Sequence, residues 1–231
     1  MLFSSITFFV VAIASLALAV DTDVDPGLVA NLRTADTNLD KMNLLSKDSD
    51  WFFDFCKSDN YNFSPGGVAW ANAATFPATV GNGMSMAIIN LGPCAMLPPH
   101  VHPRAAKYAV AVAGTTQTFM ISENGARTVE ETLTPMEMTI FQAGSIHWMM
   151  NIGCENAQLV TAFNSEDPGT QNIANAFFSF NSNVTETVLG DGVDVDKIAG
   201  QIAAVGTGAI DGPEQCRAAC AKKGKFIKRN Y

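Results

Sequence analysis

The chain has 231 residues, with 14 Lys and Arg against 22 Asp and Glu, giving a formal net charge of −8. An acidic chain lacks the basic face that phosphate backbones require, which argues against nucleic acid as a partner. Hydrophobic residues at 48% and charged residues at 16% argue against intrinsic disorder, and the length suits one domain with extensions or at most two small ones.

Residues 1–19 carry no charged side chain, and their apolar run ends at Ala17-Leu18-Ala19, the small-x-small form that signal peptidase accepts. The segment reads as a signal peptide cleaved before Val20, which predicts a secreted, extracellular protein. It is shorter than a typical membrane span, polar residues follow at once, and no other apolar stretch is long enough, so no membrane partner is expected. Residues 20–65 form an N-terminal extension that is helical in part. Pro26 suits a first turn, and Leu28, Val29, Leu32 and Leu39 give a loose helical stripe. Trp51, Phe52, Phe53 and Phe55 are expected to pack against the main domain rather than bind a sugar.

Residues 66–169 have another texture. Short apolar runs at 84–91, 107–112, 116–121, 138–141 and 158–163 alternate with breakers, among them Gly92-Pro93, Pro98-Pro99, Gly114, Asn124-Gly125, Gly144 and Gly153. Many short strands at this spacing predict an all-β sandwich or barrel. Residues 170–231 read as a C-terminal helical region, with helices predicted at 170–180, 195–205 and 213–223 between glycine-rich joints. No internal repeat is present.

In an oxidising compartment the five cysteines, Cys56, Cys94, Cys154, Cys216 and Cys220, can form disulfides, and the odd count leaves at least one free or paired between chains. There is no Cys-x-x-Cys. Cys216 and Cys220 lie four apart on a predicted helix, an awkward spacing for bridging to each other. Asn183-Val-Thr185 is an N-glycosylation sequon, and Asn62-Phe-Ser64 is a second one, followed by Pro65.

The chain has three histidines: His100, His102 and His147. His100 and His102 form His-x-His, and in a strand residues i and i+2 share a face, so two imidazoles can grip one ion. A third imidazole completes a site that keeps open positions for water or substrate.

The surroundings of these histidines resemble the cupin superfamily, and within it the germin-like and fungal spherulin-like secreted proteins. The first motif is Gly92-Pro-Cys-Ala-Met-Leu-Pro-Pro-His100-Val-His102-Pro-Arg-Ala-Ala-Lys107, closing at Gly114, and the second is Gly144-Ser-Ile-His147-Trp-Met-Met-Asn151. The resemblance implies a single cupin jelly-roll β-barrel over 66–169, with a divalent metal, Mn by analogy, held by His100, His102 and His147 in its mouth. It also bears on the cysteines. Cys94 and Cys154 flank segments expected to run side by side in such a barrel. That makes a Cys94–Cys154 disulfide the favoured pairing, with two buried thiols as the alternative.

Where family members have an anionic Glu ligand, this chain has Lys107. An ammonium does not coordinate and repels a cation. A three-imidazole site without a carboxylate shifts preference toward Zn, Cu or Fe, unless Glu130, Glu131 or Glu137 substitutes. Two Asn positions that hold substrate in oxalate-oxidising germins are Ala87 and Leu97 here, which argues against oxalate oxidase activity. Gln142 replaces the usual Pro of the second motif. Met136, Met138, Met149 and Met150 are expected to fill the core.

Two functions follow. One is a metal-dependent germin-type oxidoreductase acting on a small carboxylate or an activated oxygen species, with no catalytic residue assigned. The other is a non-enzymatic structural, storage or host-facing protein with a weakened metal site. The resemblance further implies a homo-oligomer, with Ile173, Ala176 and Phe177 and then Ile198, Ile202 and Val205 as candidate contact faces.

Overall fold

The computed structural model describes residues 23–190, 192–202 and 208–222. The expected signal peptide at 1–19 and Val205 of the expected contact face lie outside the described residues.

The chain opens with α1 (Pro26–Thr34) and α2 (Asn38–Leu44). The Asp25 carboxylate caps α1 by accepting from the Leu28 amide at 2.9 Å, and Pro26 fills the first turn, where its missing N–H is not needed. Val29 and Leu32 are buried together with Leu45, Ala73, Ala78 and Val80 in a small second core. Phe53 packs on Phe55 and Phe76, as expected of the aromatic cluster, whereas Trp51 and Phe52 remain exposed.

Nine strands build the main domain: β1 (Gly66–Ala71), β2 (Ser85–Leu91), β3 (Ala95–Val101), β4 (Lys107–Ala113), β5 (Thr116–Ile121), β6 (Val129–Leu133), β7 (Met138–Phe141), β8 (Ile146–Asn151) and β9 (Ala157–Phe163). Next come β10 (Gln171–Asn172), α3 (Ile173–Phe177), α4 (Ser182–Leu189), α5 (Val195–Ala199), β11 (Ile210–Asp211) and α6 (Glu214–Lys222). One sheet has the order β1-β2-β9-β4-β7 and the other β10-β3-β8-β5-β6, with β11 also on β3. The main core lies between the sheets. β9 illustrates why: Ala157, Leu159, Thr161 and Phe163 point inward and are buried, while the residues between them are half-exposed. Ile89, Leu91, Phe141 and Met149 join them, each worth roughly 2–3 kcal/mol for full burial.

Several expectations need correction. Pro98-Pro99, read as a breaker, lies inside β3. The strand tolerates it because the register with β8 shifts between Leu97 and His100, and because on the other edge β11 pairs with Ala95 and Met96 while β10 pairs with His100 and Val101. The prolines, which have no N–H to donate, fall in the gap. The predicted helix at 170–180 shortens to α3 after a strand, and α4 is a helix the sequence did not suggest. Met136 and Met138 are 83% and 50% exposed and do not fill the core, since Phe141 is the inward residue of β7 and Met138 takes the opposite face; Met149 alone of the four is fully buried.

The disulfide pairing is also corrected. Cys94 bonds Cys216 and Cys154 bonds Cys220. The Cys94 and Cys154 segments do run side by side, with the Cys94 amide donating to the Gly153 carbonyl at 3.3 Å. Both thiols are nevertheless taken by α6. Cys216 and Cys220 sit one turn apart on one helix face, so they reach outward to two different turns rather than to each other. Cys56 is exposed and unpaired. Of the two sequons, Asn183 is exposed but Thr185 is buried within α4. Asn62 is half-buried and accepts from the Ser64 amide in a turn. No helix among the described residues is long and apolar enough to cross a membrane.

Candidate metal centre

The three histidines converge. Pairing of β3 with β8 sets His100 directly opposite His147, and His102 follows at the end of β3. The ring centroids of His100 and His147 are 4.3 Å apart, and those of His102 lie 5.1 Å and 5.2 Å from the other two. All three residues are buried, and one ligating nitrogen from each lies within 4.8 Å of the others.

Backbone carbonyls fix the rings. His100 Nδ1 donates to the Pro98 carbonyl at 2.7 Å, His102 Nδ1 to the Gly169 carbonyl at 2.6 Å, and His147 Nδ1 to the Ser145 carbonyl at 2.9 Å. A carbonyl only accepts, so each Nδ1 carries the proton and each Nε2 presents a lone pair. His102 Nε2 and His147 Nε2 are buried with no hydrogen-bond partner. Burial, and then the nearby charge of Lys107, lower the His100 pKa to about 3 and that of His102 to about 2, and hold that of His147 well below its ordinary value. Neutral imidazoles of one tautomer, with converging unpaired acceptors, are the donor set a transition metal takes. The residues present fit a metal ion.

The sequence did not identify the orienting groups. Gly169 has φ of +65°, and a Cβ there would lie 2.8 Å from the Arg104 guanidinium. Arg104 in turn bonds the Asp167 carboxylate and carbonyl at 2.7 Å each. This pins the turn whose carbonyl holds His102. Asn151 of the second motif is also structural: its amide donates to the carbonyls of Leu91, Gly92 and Glu155 and ties the turn that opens the first motif to the loop that follows the second. Of these residues only Asn151 stood out in the sequence, as the last residue of the second motif, and the motif does not reveal its partners.

Lys107 faces the same interior from the opposite sheet, at 1% exposure. Its register partners are Phe141 and Phe163. Nζ lies 3.7 Å from Met149 Sδ and 4.8 Å from the centroid of Phe141, whose ring stacks on His147. Burial pulls its pKa down to about 7. Glu130, Glu131 and Glu137 are all exposed, so none of them substitutes for the missing carboxylate. Ala87 is buried in the core, and Leu97 lines the small cavity beside His100, His102, Lys107, Trp70 and Phe163. Gln142 is an exposed turn residue.

Comparisons with known proteins agree with this architecture. Residues 55–198 match the family model described as Cupin. The chain is 37% identical over 166 residues to Spherulin-1A of Physarum polycephalum, covering 71% of this chain and 67% of that one. It is 35% identical over 143 residues to germin-like protein subfamily 3 member 1 of Arabidopsis thaliana, covering 60% and 68%. A solved oxalate oxidase superposes with a TM-score of 0.62 at 22% identity, over 68% of this chain and 83% of that one, a likeness of fold. Sheet order, motif placement and relatives together identify the chain as a member of the cupin family, of the spherulin and germin-like kind.

Proposed function

We propose that the protein holds one divalent metal ion on the Nε2 atoms of His100, His102 and His147, and that it works outside the cell. The observation that carries this is the set of three buried imidazoles, each with Nδ1 committed to a carbonyl and Nε2 turned toward the others. Two disulfides among the described residues support an oxidising compartment. With three nitrogens and no protein carboxylate, the donor set favours Zn, Cu or Fe over Mn. When bound, the ion supplies Lewis-acid or redox chemistry to a small acid or an activated oxygen species. The protein's own residues keep the imidazoles neutral, fix their tautomer and surround the site with Trp70, Phe163 and Leu97, an apolar lining poorly suited to orienting oxalate.

Metal content measured on protein purified without added ions tests the reading. One equivalent in the wild type and loss in His147→Ala are expected; a metal-free wild type that also refuses added ions refutes it. Oxalate and superoxide assays then separate enzyme from non-enzyme. Lys107 favours a second reading, a stable non-enzymatic protein with weak metal retention, which predicts no turnover even when loaded. Self-association is part of the proposal, and light scattering that finds only monomer removes it.

A further inference from the structure

The cavity beside the histidines is lined by one basic side chain, Lys107, whose charge when protonated has the same sign as a metal ion. No carboxylate among the described residues lines the cavity or joins the histidine cluster. The three described salt bridges all lie elsewhere, between Lys57 and Asp54, Arg104 and Asp167, and Arg217 and Asp211. Lys107 Nζ rests against a thioether and an aromatic face, neither of which carries a negative charge. The histidines are neutral donors. A divalent ion placed on them would share a buried, apolar space with a lysine and no protein anion, which is strongly unfavourable at low dielectric.

We propose that this site takes its metal together with a small exogenous monoanion, which completes the coordination sphere and accepts a hydrogen bond from Lys107 Nζ. This rests on the metal reading above and adds the ligand class. Lys107 thereby becomes a specificity-determining residue: it selects for a negatively charged ligand where a protein carboxylate would have filled that place permanently. The cavity beside the histidines is small and walled by Trp70, Phe163 and Leu97. That limits the anion to a few heavy atoms, the class of formate, bicarbonate or a halide. His102 Nε2 and His147 Nε2, buried and without partners, mark where the ion sits, and the lysine enters from the opposite sheet. Metal and anion are then linked ligands, each raising the affinity for the other by the same factor.

The test is cobalt(II) titration of chelator-stripped protein, followed by absorption spectroscopy in a perchlorate buffer with and without formate. In the wild type, formate is expected to raise cobalt affinity at least tenfold and to change the cobalt spectrum. In Lys107→Met, cobalt binds tightly without formate, and the gain on adding formate falls below threefold. Lys107→Glu, which restores an internal anion, binds cobalt tightly with no response to formate. Cobalt uptake by the wild type that is indifferent to formate, and that weakens in Lys107→Met, overturns this inference alone by making the lysine amine itself a ligand. No uptake with or without formate overturns both this inference and the metal reading.

Discussion

Replacing Lys107 by Met is expected to stabilise the metal-free protein. Burial lowers the lysine pKa from 10.5 to about 7. At roughly 1.4 kcal/mol per pH unit, the full penalty for carrying this group into the fold is about 5 kcal/mol below pH 6, and about 4 kcal/mol at pH 7. The sign follows from proton counts: between about pH 7 and 10.5 the unfolded chain holds the lysine proton and the folded chain has lost it, so stability rises with pH across that window. Methionine has a similar length and shape, and the site already offers a thioether and a phenyl ring as neighbours, so repacking returns only part of the gain. A net increase of about 2–4 kcal/mol at pH 7 is expected. Urea unfolding of chelator-treated, disulfide-intact protein at pH 6 to 10 measures it through the midpoint at constant slope. Over the upper half of that range the wild type should climb toward the variant. Equal stabilities at pH 7, or a wild-type curve that runs parallel to the variant throughout, would show that the lysine carries no such penalty and would refute the reasoning.

Three further outcomes follow from the same geometry. The histidine pKa values are depressed, so their contribution to metal-free stability is complete above about pH 6.5 and is lost as pH falls toward 3; unfolding free energies from urea titrations should drop by about 2 kcal/mol between pH 7 and 5 for each of His100 and His102, and a His102→Gln, His147→Gln double variant should flatten the fall. Gly169→Ala forces a side chain into a left-handed turn and against Arg104, so it is expected to loosen the carbonyl that orients His102 and to weaken metal binding roughly 10- to 100-fold in calorimetry, with His100 and His147 untouched. Removing the Cys154–Cys220 bond by a Cys154→Ser, Cys220→Ser double variant should cost about 2–5 kcal/mol in thermal or urea unfolding, while a Cys56→Ser variant should leave stability within about 0.5 kcal/mol.

What could be read from the sequence was what is periodic or local. The apolar run at 158–163 marks β9, and the three histidines announce their site because imidazoles are few and their motifs are compact. β1 escaped because all six of its residues are buried, which erases alternation, and two of them are glycines. β6 escaped for the opposite reason: it carries exposed Glu130, Glu131 and Thr132 at the rim of its sheet. α4 is built from Ser, Asn and Thr residues of modest helix propensity, and tertiary contacts decide its conformation. The cysteine pairing depends on partners 122 and 66 residues apart, a separation no local pattern encodes. The Lys107 substitution was visible as a letter. Its meaning came only with the opposite sheet, which surrounds the amine with sulfur and aromatic carbon rather than with an acid.

The fastening of α6 has a consequence for biogenesis. The two barrel turns that bear Cys94 and Cys154 are adjacent in space, while their bonding partners lie 122 and 66 residues further along the chain. The Cys94 and Cys154 thiols are made before Cys216 and Cys220, so a cross-link between the two turns is the competing product. Bonding to α6 therefore proceeds by exchange from such a cross-link or by a later oxidation.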